Sequence, residues 1–92
     1  MFILRVEQTV HNYEGWKKAF DSDPIGRKKS DVRRYRVMRS ADDSNYVLID
    51  LEFTNALAAE AGHDVLLKLW GNVDVVKNPK ARIVEVLEAK EY

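Results

Sequence analysis

The chain has no cysteine, which excludes a disulfide framework, a thiolate metal site and a cysteine nucleophile. With two prolines and four glycines in 92 residues it has no low-complexity stretch, no interdomain linker and no glycine-rich phosphate loop. A serine triad motif and a zinc motif are missing too, and Asp42-Asp43 is turn chemistry, not a calcium loop. No apolar run approaches the ~20 residues that cross a bilayer. Charge of one sign is absent overall: 15 basic and 15 acidic residues cancel. Nucleic acid is therefore a poor partner, because phosphate binding draws on a cationic surplus. Met1-Phe2-Ile3-Leu4-Arg5 has neither the basic start nor the apolar core of a signal peptide, so a cytoplasmic location is expected.

What is present reads as one small α+β domain over residues 1–92. Hydrophobic residues make up 46% and charged residues 33%, the balance of a folded globular chain. Phe2, Leu4 and Val6 alternate with Ile3, Arg5 and Glu7, a period of two that predicts a first strand over 2–8. His11 and Asn12 offer start signals for a helix on which Tyr13, Trp16 and Phe20 recur at helical spacing. Asp23-Pro24 has the form of a cap and first helical residue, which predicts a second short turn of helix over 25–29. Strands are expected over 32–39 and 46–53, joined by the loop Ala41-Asp42-Asp43-Ser44-Asn45. Thr54 or Asn55 caps a second helix, with Leu57, Ala61, Val65 and Leu69 as a ladder flanked by Ala58, Leu66 and Trp70, and Gly71-Asn72 as its end. A loop through Asn78-Pro79 then leads to a last strand over 81–88.

The charges are segregated along the chain. Arg27 to Arg39 carries seven basic residues against one acid, Asp31, while Asp42 to Asp64 carries six acids and no lysine or arginine. A hairpin explains this, because it sets Arg34 and Arg36 beside Asp50 and Glu52 as cross-strand pairs. The helix-covered face is expected to take Leu4, Val6, Tyr35, Val37, Val47, Ile49, Leu51, Phe53, Val84 and Val86. The opposite face then takes those charges together with Ile3, Met38, Leu48, Ile83 and Leu87. Such a face is too oily for open water and too charged for a monomer core. A homodimer built through this open face is the expected solution.

The order strand, helix, two strands, helix, strand resembles the ferredoxin-like βαββαβ folds of the dimeric α+β barrel group. In that group one four-stranded antiparallel sheet carries both helices on one face. The segments FDSDPIGRKKSDVRRYRV (Phe20 to Val37), NYVLIDLEF (Asn45 to Phe53) and ARIVEV (Ala81 to Val86) are similar to a small bacterial family of unassigned function. That family lies near the antibiotic-biosynthesis monooxygenases and cyclase-like proteins. The resemblance implies a cofactor-independent enzyme, or a binder of a small aromatic or polyketide-like molecule. The alternative is a non-catalytic dimeric module with a structural or regulatory role. In the monooxygenase and haem-degrading branches a strand 1 asparagine and a helix 2 tryptophan carry the chemistry. Here strand 1 ends in Glu7-Gln8 and Trp70 comes late, so those roles are not carried over.

The candidate site residues follow from this layout. His11, at the turn into helix 1, carries an imidazole, the side chain most used as a general base, and is the candidate for proton transfer. Trp16, Phe20 and Tyr35 are the candidate substrate-binding residues, with the Tyr35 hydroxyl orienting the substrate. Each has a plain alternative: a solvated loop histidine and an ordinary aromatic core. His63-Asp64 is not a dyad, because adjacent helical residues point about 100° apart. An RNA-recognition reading fails on the open face, where Tyr46 stands beside Asp50 and Glu52.

Overall fold

In the computed structural model, which describes residues 1–71 and 76–92, two helices lie on one face of a four-stranded antiparallel sheet. The elements run β1 (Phe2–Val10), α1 (Tyr13–Asp21), β2 (Arg34–Ser40), β3 (Asp43–Phe53), α2 (Ala56–Trp70) and β4 (Val76–Glu85). The sheet order is β2-β3-β1-β4, the βαββαβ ferredoxin-like arrangement. Asparagines start both helices. Asn12 accepts a hydrogen bond from the Gly15 backbone N–H at 2.7 Å, and Asn55 accepts one from Ala58 at 2.8 Å. Each satisfies an N–H that the helix itself leaves without a partner.

The inner face of β1 and β3 forms the core. Leu4, Val6, Val10, Val47, Ile49, Leu51 and Phe53 are buried there beneath Trp16 of α1 and Ala59 and Leu66 of α2. The expected ladder of α2 is corrected by this packing. Leu57 is 79% exposed and Val65 39%, and Ala59, Gly62 and Leu66 face the sheet; Leu69 of the ladder and the flanking Ala58, Leu66 and Trp70 do pack on the core. The reason is close approach: a Cβ on Gly62 would lie 2.9 Å from the Phe53 ring, so the contact line is built from small residues. The helix ends at Gly71, in right-handed conformation, and Asn72 of the expected end signal lies outside the described residues.

Three further expectations are corrected. Residues 25–29 form successive turns instead of a helix: Asp23, Gly26 and Asp31 all have positive φ (58°, 65° and 66°), which no helix accommodates. The hairpin closes tightly, with Ser40 opposite Asp43, and β3 starts at Asp43, three residues before the expected Tyr46. The last strand begins at Val76 and ends at Glu85, running through Asn78-Pro79 as an irregularity between the Glu7–Lys80 and Thr9–Lys77 pairs. An edge strand tolerates proline at such a bulge.

The phase of β4 also differs. Ile83 pairs with Leu4 and packs on the core, whereas Val84 pairs with Ile3 on the open face. A one-residue shift moves every side chain to the other face. Leu87, expected in the open-face row, lies beyond the strand and is 87% exposed.

Candidate functional site

The local architecture leaves a gap between helices and sheet. Trp16 and Phe20, one helical turn apart, stack with ring centroids 5.2 Å apart, and Tyr13 adds a third ring 5.9 Å from Trp16. On α2 the small residues that admit Phe53 give way to Leu66, Leu69 and Trp70. Between these two aromatic and aliphatic walls lies a cavity of about 280 Å³, floored by Val6, Gln8, Ile49 and Leu51 of the sheet. Ala19, Ser22, Pro24, Ile25 and Arg27 form its rim. For scale, an apolar cavity of roughly 150 Å³ holds benzene.

Gln8 is the polar exception in this apolar enclosure. It stands on the core face of β1, two residues beyond Val6, and is 3% exposed. Its Oε1 is buried and finds no hydrogen-bond partner among the described residues. An unpartnered buried carbonyl of this kind costs about 1–3 kcal/mol. The terminal amide torsion of glutamine is soft, so a modest rotation presents this oxygen to an occupant of the cavity. Sequence reading missed Gln8, although its signal was available: it shares the period-two phase of Leu4 and Val6, so a polar residue had to face the core.

Arg27 closes one side. Its guanidinium lies 4.2 Å from the Phe20 ring centroid and 4.8 Å from that of Tyr35, and it donates to the Phe20 carbonyl at 2.9 Å. Asp23 Oδ1 accepts from the Arg27 backbone N–H at 2.9 Å and stands 3.5 Å from the guanidinium Nε. Two neighbouring rings and the acceptors Phe20 O and Asp23 Oδ1 together restrict its orientation.

The expected site residues fall in three places. Trp16 and Phe20 line the cavity. Tyr35 meets Phe20 edge-on at 5.1 Å but is 42% exposed and lines the neighbouring recess instead. His11 is exposed in the turn between β1 and α1 and is not among the lining residues. Trp70, set aside on sequence grounds, does line the cavity.

The open face of the sheet has the opposite chemistry. Asp50 is 1% exposed and receives Arg5 through two hydrogen bonds, Nε to Oδ1 at 2.8 Å and Nη2 to Oδ2 at 2.7 Å, with Arg36 at 3.2 Å. Arg34 holds Glu52 through 2.5 and 3.2 Å bonds. The expected hairpin pairs are thus present, and Arg5 of β1 adds a two-bonded contact to Asp50. The Arg5 hydrogen bonds hold the Asp50 carboxyl below the usual carboxylate range, against the opposing effect of burial.

No family model matches the chain, and no curated protein matches it. Solved structures do. A Nitrosomonas europaea protein provisionally assigned as an antibiotic biosynthesis monooxygenase superposes with a TM-score of 0.72 at 20% identity, covering 96% of this chain and 100% of that one. A variant of SnoaB, a cofactor-independent oxygenase from Streptomyces nogalater, gives 0.68 at 10% identity over 96% and 94%. A variant of MhuD, carrying two manganese protoporphyrin IX molecules per active site, gives 0.72 at 11% identity over 100% of both chains. The structural neighbours of this chain thus include proteins described as an antibiotic biosynthesis monooxygenase and a cofactor-independent oxygenase, and the fold it shares with them is the ferredoxin-like α+β fold.

Proposed function

We propose that the protein binds, and as an enzyme would act without a cofactor on, a small aromatic molecule held between α1, α2 and the sheet. The observation that carries this reading is the apolar cavity with the unpartnered Gln8 carbonyl buried in its lining. An aliphatic and aromatic enclosure with one polar group is the usual make-up of a small-molecule site. Trp16, Phe20 and Trp70 supply ring contacts. Gln8 selects an occupant with an O–H or N–H donor. The neighbours described as a cofactor-independent oxygenase and as a porphyrin-binding protein support a small-molecule role.

The test uses 2-naphthol and 2-methoxynaphthalene, which differ in the donor, with binding followed by calorimetry. Both should bind, with 2-naphthol ahead by roughly tenfold, the worth of one hydrogen bond of ~1.4 kcal/mol. Gln8→Leu should erase the difference, and Ala19→Trp, which fills the rim, should abolish both. Failure of either compound to bind would overturn the reading. In the catalytic form of the proposal His11 transfers a proton and Tyr35 orients the substrate. Loss of turnover but not of binding in His11→Ala would support it, and unchanged turnover would remove His11.

The open face supports a homodimer as the assembly. Ile3, Met38, Leu48 and Val84 share it with the Asp50 and Glu52 ion pairs, and among the described residues no helix covers it. Sedimentation at micromolar concentration should give twice the 10.7 kDa chain mass; a stable monomer would exclude it.

A further inference from the structure

Arg27 belongs to two spaces at once. One is the apolar cavity; the other is a recess lined by Asp23, Arg27, Lys28, Val32, Arg33, Arg34 and Tyr35. The recess gathers four cationic side chains against one lining carboxylate, in a chain whose net charge is zero. Asp23 pairs with Arg27, and Arg34 is taken up by Glu52. Lys28 and Arg33, both exposed, add the local excess of positive charge. Arg27 packs against both Phe20, which walls the cavity, and Tyr35, which walls the recess, so the aromatic and cationic regions meet at one guanidinium.

We propose that the ligand of this site is an aromatic acid: its rings occupy the cavity and its anionic group lies past Arg27 in the field of Lys28 and Arg33. This rests on the small-molecule reading above and adds a charge requirement to it. A neutral aromatic satisfies the cavity alone. An anion attached to it also gains from the recess, and a planar carboxylate suits a guanidinium edge better than any neutral group does.

The experiment compares 2-naphthoate with 2-acetylnaphthalene, its neutral near-isostere, by calorimetry on the full chain. The acid should bind roughly tenfold more tightly at low salt. Its advantage should shrink at about 0.5 M salt, because exposed charges are screened. In Lys28→Glu/Arg33→Glu the advantage should vanish while 2-acetylnaphthalene binds as before; both positions are exposed, and circular dichroism checks that the fold is kept. Equal affinities in the parent protein, or an advantage that survives charge reversal, would overturn the inference while leaving the cavity reading intact. If 2-naphthoate binds Ala19→Trp as well as the parent, the anion sits apart from the cavity and the inference fails. If 2-acetylnaphthalene does not bind the parent at all, the small-molecule reading itself falls.

Discussion

On the open face of the sheet the buried carboxylates Asp50 and Glu52 are held by arginines, whereas on the helix-covered face the buried amide oxygen of Gln8 has no partner among the described residues. The same strand, β1, supplies both, with Arg5 pointing to one side and Gln8 to the other. Folding alone favours the first arrangement, since an ion pair with good geometry offsets much of its own desolvation. It does not favour the second. An unmet polar group within an apolar cavity is a cost to stability, and costs of this kind concentrate where a site must recognise something.

This contrast is best broken at Asp50. Asp50→Ala should destabilise by about 3 kcal/mol, because charge-assisted hydrogen bonds from Arg5 and Arg36 are lost and a buried gap is left. Asp42→Ala in the hairpin should stay within about 0.5 kcal/mol. Urea unfolding of the two variants measures the difference; equal effects would mean the open-face charges are merely solvated.

The same carboxylate predicts an acid response. Its folded pKa is lowered, so its contribution is complete above the unfolded value of about 4 and is lost as pH falls through the folded value. Stability should therefore fall with decreasing pH below about 4, and the fall should be shallower in Asp50→Asn. An identical acid profile in both proteins would remove Asp50 as its source.

On the helix-covered face the effects are smaller. Gly62→Ala places a methyl group 2.9 Å from the fully buried Phe53 ring. Overpacking of this kind costs ~1–3 kcal/mol and the gain in helix propensity returns up to ~1, so a net loss of about 1–2 kcal/mol is expected in thermal unfolding. A variant as stable as the parent would show that α2 lifts freely off the sheet.

Gln8→Leu should act in the reverse direction, raising stability by about 1 kcal/mol while removing donor selectivity. If it destabilises instead, Gln8 is part of the scaffold and not of a recognition site.

The element order, the cap positions to within one residue and the pairing of Arg34 and Arg36 with Asp50 and Glu52 were legible because each rests on a local rule: period, cap chemistry, hairpin register. The buried side of α2 was legible only in part, through Leu66 and Leu69. Its contact line runs through Ala59, Gly62 and Leu66, and size-based patterning favours the bulkier but exposed Leu57 and Val65. The phase of β4 was not legible, since Ile83 and Val84 are equally apolar and only pairing with Leu4 decides between them. Gln8 was hidden for a related reason: its facing was readable, but the gap beside it depends on how α1 and α2 splay over the sheet.

The two margins of the sheet carry a further consequence. Along β4, Asn78 adopts φ 48° and Pro79 offers no N–H, so the hydrogen-bonding edge is interrupted. Along β2, Arg34 and Arg36 project on one face and Arg39 on the other, like charges that would oppose an identical strand laid alongside. Ribbon-like growth from chain to chain is thereby discouraged at both borders. Any self-association is turned toward a closed, two-fold pairing of faces and away from an open filament, a safeguard against aggregation written into the outermost strands.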